Sequence, residues 1–111
     1  MLNLEQRIAI EKRVVRKLIR VAKANGFALF KLYDGEEMVK VAGEAAAMDL
    51  VFNLDECKLY FKHPDQPKAH CAYIVLGNDG YDAIADCSMG EKWDDVIEEV
   101  FDYCDKLCMQ A

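Results

Sequence analysis

The sequence contains few of the hydroxyl and imidazole groups on which many enzyme mechanisms depend. Ser88 is the only serine, threonine is absent, and the two histidines are His63 and His70. A serine hydrolase or a phosphate-binding P-loop would need more of these parts in recognisable motifs. We place His63 in an exposed loop before Pro64 and His70 at the start of a strand, and find no carboxylate partner for either. We therefore predict that the protein is not an enzyme.

The sequence also lacks a long apolar run. No stretch approaches the roughly 20 residues needed to cross a bilayer. The N-terminal region becomes charged at Glu5 and Arg7, which does not fit a secretory signal. The five cysteines are an odd number without a C-x-x-C pair, which fits reduced thiols better than disulfides. We expect a cytoplasmic protein with no membrane contact.

The cysteines are candidates for a metal site as well. Cys104 and Cys108 have helical i, i+4 spacing and would supply half of a four-ligand zinc site, while Cys57, Cys71 and Cys87 lie on three predicted strands. All except Cys108 fall on predicted apolar faces, where cysteine packs as a small hydrophobe. We therefore predict core packing, with no metal and no cofactor. A small metal-binding protein or enzyme is the less favoured alternative.

The 111 residues favour a single domain, 1–111, and a 53% hydrophobic content is enough for a core. Asn3 with Gln6, and Ser88 with Glu91, have the spacing of capping boxes at the first and last helices. The predicted order is α-β-β-α-β-β-β-α, and its short turns favour the α+β class, a mainly antiparallel sheet of about five strands with helices packed on it. The predicted elements are helices over Leu4–Asn25, Gly43–Asn53 and after Ser88, and strands over Phe27–Tyr33, Met38–Ala42, Cys57–Lys62, Cys71–Leu76 and Tyr81–Cys87.

The last two predicted strands form a hairpin around Asn78-Asp79-Gly80. Asn78, Asp79, Asp82 and Asp86 bring four oxygen donors close together in sequence. Calcium loops need acids at regular spacing within the loop, whereas Asp82 and Asp86 fall on the predicted strand. Asn, Asp and Gly are the residues that tight turns favour. We interpret the segment as a turn between two central strands, and whether its oxygens bind anything is left open.

Charge is distributed unevenly along the chain. Residues 1–25 carry seven bases and two acids, a net of +5, so the other 86 residues carry −11 within the total of −6. Such asymmetry often indicates an interaction surface. The predicted binding surface combines the basic face of the first helix with the acidic face of the last: Lys12, Arg13, Arg16, Lys17, Arg20, Lys23, Asp94, Asp95, Glu98, Glu99 and Asp102.

Three interpretations of this surface remain open. The two charged helices pair with each other or with a second copy, they bind an acidic protein partner, or the bases contact nucleic acid. The acidic remainder of the chain would repel nucleic acid, so we do not expect nucleic acid as the partner.

Several segments spread along the chain resemble small uncharacterised proteins of phages and prophages. These are EKRVVRKLI, YDGEE, AAAMDLVFNLDE and IVLGNDGYDAIAD, followed by an acidic terminal helix. The resemblance implies a bacterial host cytosol and an accessory role, and small proteins of that kind often bind a host protein. We predict a non-enzymatic protein that binds a macromolecular partner, as yet unidentified, through its charged surface, and that would inhibit a host defence protein. The alternative is a self-associating module, such as a homodimer, without catalytic function.

Overall fold

The structure is a computed structural model that describes residues 2–110. Within that range it confirms the predicted order α-β-β-α-β-β-β-α and the α+β class. The five strands form one antiparallel sheet in the order β2-β1-β3-β4-β5. No helix in these residues is long and apolar enough to cross a membrane. The elements are α1 (Leu4–Ala24), β1 (Ala28–Tyr33), β2 (Met38–Lys40), α2 (Glu44–Val51), β3 (Glu56–Lys62), β4 (His70–Val75), β5 (Ile84–Cys87) and α3 (Trp93–Gln110).

The helices pack on one face of the sheet and leave the other face open. α1 contacts α2, α3 and β1, and its apolar stripe joins those of α3 and the sheet in a single buried cluster. On β3, the side chains alternate between a buried set and a more exposed set, as the sequence predicts from the two-residue period of a strand. The buried set is Cys57, Leu59 and Phe61, and the other is Glu56, Lys58, Tyr60 and Lys62.

The first helix begins as the sequence predicts. The Asn3 side chain accepts a hydrogen bond from the Gln6 backbone N–H at 2.8 Å, and the Gln6 side chain accepts one from the Asn3 N–H at 3.0 Å. This reciprocal pair satisfies two amides that the helix itself cannot bond. The start of α1 is therefore fixed by local sequence.

The predicted start of the last helix is wrong. α3 begins at Trp93, and Ser88 lies five residues before it. The Ser88 hydroxyl accepts a hydrogen bond from the Cys71 N–H at 2.9 Å, at the end of the β4–β5 ladder. Instead, the Asp94 carboxylate accepts from the Gly90 N–H at 3.1 Å. The Ser88 hydroxyl therefore bonds the backbone of β4, whereas the local pattern predicts that it caps the last helix.

The hairpin exists, but its predicted bounds and position are wrong. β5 starts at Ile84 rather than Tyr81, and it lies at the edge of the sheet rather than its centre. Residues 76–83 form a longer connection, the β4–β5 loop, which contains Asp82. A register shift between Tyr73 and Ile74 accompanies the change, and Ala83 and Ile84 are both buried although they are adjacent in sequence.

The β4–β5 loop packs against α1. The Glu11 carboxylate, only 1% exposed, accepts a hydrogen bond from the Gly77 N–H at 2.8 Å. Gly80 lies so close to Ile10 that an added Cβ would meet the Ile10 Cγ2 at 2.9 Å. The loop therefore ties the first helix to the last hairpin, which explains why a flexible-looking Asn-Asp-Gly segment has a defined place.

Candidate charged interface

The bases of α1 occupy the side of the helix opposite its buried stripe. Lys12, Arg13, Arg20 and Lys23 are exposed, and Arg16 and Lys17 are half-buried. We call these six residues the α1 basic face. The amphipathic spacing of the sequence is sufficient to place them there.

One acid partly neutralises the α1 basic face, and it comes from α2. The Arg20 guanidinium donates to both Glu44 carboxylate oxygens, at 2.8 and 3.1 Å, and the Arg16 Nε lies 3.8 Å from one of them. The hydrogen bonds from Arg20 hold the pKa of Glu44 below its ordinary value and raise the pKa of Arg20. Because the pair is exposed to solvent, it orients side chains more than it stabilises the fold.

The acids of α3 do not pair with the bases of α1. The two helices lie side by side, and the acidic residues of the predicted surface, Asp94, Asp95, Glu98, Glu99 and Asp102, are all exposed. Within residues 2–110, no basic nitrogen of α1 lies within 4.0 Å of an α3 carboxylate. At the edge of their apolar contact the two helices form a cation–π pair, with the Lys17 Nζ 5.0 Å from the centre of the Tyr103 ring.

A groove of about 560 Å³ runs between these helices. Its basic lining comes from Arg13, Arg16, Lys17 and Arg20, and Glu99 is its acidic member. The groove therefore combines four bases of the predicted surface with one of its acids, and the other four predicted acids do not line it.

The only serine contacts one histidine, and no local sequence pattern predicts this contact. The His70 Nδ1 lies 3.2 Å from the Ser88 Oγ, and its Nε2 lies 2.8 Å from the Gln66 Oε1. The His70 ring is buried and stacks on Trp93 at a centroid distance of 5.4 Å. Burial lowers the pKa of His70, although Asp94 acts in the opposite direction. This holds the imidazole in its neutral form.

This arrangement is better explained as structural than as catalytic. The Ser88 Oγ is already engaged by the backbone of Cys71, accepting from its N–H at 2.9 Å and lying 3.4 Å from its carbonyl oxygen. The contacts join β4, the end of β5, the loop before β4 and the first turn of α3. His70 and Ser88 are 18 positions apart in sequence. The distance between their side chains depends on the register of the strands, which no local motif reveals.

His63 is buried, which corrects its predicted exposure. Its ring packs against Phe27 at a centroid distance of 4.8 Å, and its Nδ1 accepts a hydrogen bond from the Asp65 N–H at 3.0 Å. The turn formed around Pro64 folds the imidazole back onto the core. His63 therefore belongs to the aromatic cluster beneath Trp93 rather than to a surface site.

The cysteines do not converge on a metal. In the described part of the chain, no three His, Cys, Asp or Glu side chains form a group that could hold an ion. Burial raises the pKa of Cys57 to about 12 and that of Cys104 to about 11, so both stay protonated and unreactive at neutral pH. Cys71 departs from the prediction because it lies half-buried on the open side of β4, not on the core side.

The aspartates near the hairpin are separated as well. Asn78, Asp79 and Asp82 are exposed in the β4–β5 loop, whereas Asp86 lies on β5 and accepts from the Cys87 N–H at 2.8 Å.

Comparison of the chain with protein-family models, curated proteins and solved structures found no match. The charged surfaces of the protein are therefore the features that bear on its function.

Proposed function

We propose that this is a non-enzymatic binding protein that engages a protein partner of acidic surface through the α1 basic face. The observation that carries the proposal is the missing compensation between α1 and α3. Lys12, Arg13 and Lys23 form no ion pair within residues 2–110, although an acidic helix lies alongside.

Electrostatics of this kind contributes chiefly to encounter and specificity. A patch of like charge attracts an oppositely charged partner and raises the association rate. The acids of α3 beside it would repel a partner that is uniformly acidic, so the pair of helices selects a partner whose charge changes sign across the contact. Screening by salt should weaken the association, since the Debye length is about 10 Å at 0.1 M.

The test is capture of a partner from nuclease-treated bacterial lysate at low salt, followed by binding measurements with the purified partner. The triple variant Lys12→Glu/Arg13→Glu/Lys23→Glu should lose the partner. A matched variant reverses three exposed lysines elsewhere, Lys68→Glu/Lys92→Glu/Lys106→Glu, and should retain it. Equal loss in both variants would show that only net charge matters, and unchanged capture by the first would refute the assignment.

A more specific form of the proposal takes its context from the resemblance to phage and prophage proteins. The partner would then be a host defence protein, inhibited when its surface is occupied. Expression of the protein in a bacterium that carries a defence system should restore plaque formation by a sensitive phage. The α1 triple variant should fail to restore it, and restoration by that variant would place the inhibition elsewhere.

Self-association is the second candidate, and the edges of the sheet bear on it. β2 has three residues and β5 has four, and both edges carry charge, at Lys40 and Asp86. Short, charged edges discourage strand pairing between copies, so a dimer would have to form through the helices. Light scattering at low and high salt distinguishes the cases, because a dimer held by charged helices should dissociate as salt increases.

A further inference from the structure

The open face of the sheet carries an ordered mixture of lysines and aromatic rings. One cross-strand row runs Tyr33, Lys58, Tyr73 and Asp86 through β1, β3, β4 and β5. The next row runs Lys40, Lys31, Tyr60 and Cys71 through β2, β1, β3 and β4. We call the aromatic and lysine residues on this side the open sheet face: Phe30, Lys31, Tyr33, Lys40, Lys58, Tyr60, Lys62 and Tyr73.

An irregularity in β1 adds a ring to this face. The register between β1 and β3 shifts between Leu29 and Lys31, so Phe30 is the additional residue of a bulge. The ammonium groups of Lys31 and Lys62 each lie 5.6 Å from the centre of the Phe30 ring. Two positive charges therefore flank one half-buried aromatic ring.

The lysines are placed in a way that costs stability. Lys31 and Lys40 are directly opposite each other on neighbouring strands, and like charges in that position repel. Throughout residues 2–110, Lys31, Lys40, Lys58 and Lys62 form no ion pair. An anion bound over the face would relieve this repulsion between lysines, so the arrangement favours an anionic ligand.

Two acids, Glu56 and Asp86, lie on this side of the sheet, and among the described residues neither forms an ion pair with a lysine. The Glu56 carboxylate accepts a hydrogen bond from the Tyr73 hydroxyl at 2.6 Å, a contact that also raises the pKa of Tyr73. Asp86 lies at the end of its row, on the edge strand. The acids of α3 belong to the helical layer, on the other side of the sheet. The fold therefore places the acids of α3 away from these lysines, while Glu56 and Asp86 remain on the same side of the sheet as the lysines.

We propose that the open sheet face binds single-stranded nucleic acid. Aromatic side chains on such a surface stack on unpaired bases, and neighbouring lysines bind the phosphates. The four aromatic rings among these lysines distinguish this face from the α1 basic face, and they favour unpaired bases as the ligand because bases stack on them. A flat sheet offers no helix or ribbon to enter the groove of a duplex, and stacking requires bases that are not paired.

The face also has room for a base. A depression of about 650 Å³ lies over the first row, and Tyr33, Lys58 and Tyr73 line it together with the carboxylates of Glu56 and Asp86. The Lys58 Nζ lies 6.0 Å from the centre of the Tyr73 ring. A base stacked on Tyr73 would thus have a positive charge beside it for its phosphate. This site is separate from the α1 basic face, so it goes beyond the function proposed above.

The experiment is fluorescence anisotropy with fluorescein-labelled dT12 and rU12 at low salt, using the full chain. Salt dependence should follow a slope of roughly −0.7 in log K against log [salt] for each phosphate contact on a single strand. The variant Lys31→Gln/Lys62→Gln should make that slope shallower by about 1.4. The variant Phe30→Ala/Tyr73→Ala should weaken binding by roughly tenfold or more through lost stacking.

The matched control is Lys12→Gln/Lys23→Gln on α1, which removes the same charge and should leave affinity and slope close to those of the original chain. Circular dichroism and thermal unfolding of each variant show that the fold is retained. If the control loses as much affinity as the sheet variants, or if all variants bind equally, the proposal fails. Equal affinity for a dA12·dT12 duplex, or equal competition by poly-L-glutamate, would also overturn it, because either result means non-specific attraction of polyanions.

Discussion

Replacing Glu11 by alanine should destabilise the fold more than replacing any exposed acid. Its buried carboxylate accepts from the Gly77 N–H at 2.8 Å and lies 3.6 Å from the Arg7 Nε. Loss of a hydrogen bond to a charged group costs about 1.5–3 kcal/mol. The Arg7 side chain is 29% exposed, so its pairing one helical turn away adds only roughly 0.3–0.5 kcal/mol. We therefore expect a decrease in the free energy of unfolding of about 2–3.5 kcal/mol.

The assay is urea unfolding followed by the fluorescence of Trp93, the single tryptophan, which is fully buried. For a chain of this size each kcal/mol changes Tm by about 4 °C, so thermal unfolding should show a decrease of roughly 10 °C. Glu11→Gln retains an oxygen that can accept from Gly77 and should lose less than Glu11→Ala. Hydrogen exchange at the Gly77 amide should accelerate in the alanine variant.

The control is Glu98→Ala, which removes an exposed acid in the second turn of α3 and should change stability by less than about 0.5 kcal/mol. The explanation would be refuted if Glu11→Ala behaved like Glu98→Ala. It would also be refuted if Glu11→Gln were the more damaging change, because the hydrogen bond to Gly77 could not then be the main contribution.

Three further predictions concern other parts of the fold. Because burial lowers the pKa of His70, the unfolded chain binds more protons in acid. The effect of His70 on stability should therefore be absent above about pH 6.5 and should lower stability increasingly as pH falls below it, and His70→Gln should flatten that decrease in pH-dependent urea unfolding. With a thiol-reactive disulfide reagent at neutral pH, the exposed Cys108 should react first and Cys57 and Cys104 only on unfolding, so Cys108→Ser should abolish the fast phase. Gly80→Ala should lower Tm more than Gly35→Ala, since both glycines have positive φ (+94° and +104°) but only Gly80 would place its new methyl against Ile10; equal decreases would mean that backbone strain alone is responsible.

The parts of the fold that the sequence predicts are those fixed by local periodicity. The amphipathic pattern places the α1 basic face correctly, and the alternation of β3 assigns Lys58, Tyr60 and Lys62 to one side. Even so, the open sheet face is not apparent from these three residues. Its rows depend on the register of β1 and β4 against β3, and its Phe30 depends on a bulge, and neither is encoded in one segment.

The errors of prediction have the same origin. Ser88 has the spacing of a helix cap, but its hydroxyl accepts a hydrogen bond from the Cys71 amide because β4 and β5 pair beside it. His63 follows a strand and precedes a proline, as exposed loop residues often do, yet the turn returns it to Phe27. Local patterns decide which residues are able to form a contact, and the topology of the sheet decides which contacts form.

The contact between the β4–β5 loop and α1 forms late during synthesis, because the two segments are far apart in the chain. Glu11 and Gly77 are 66 positions apart, and at about 5–20 residues per second a ribosome needs roughly 3–13 s to make the chain between them. The apolar stripe of α1 must wait still longer for α3. During that interval β1 and α2 can cover only part of the stripe, and the part that α3 later covers is exposed to chaperones and to other nascent chains. The nascent chain should therefore be most prone to aggregation before translation reaches the final helix.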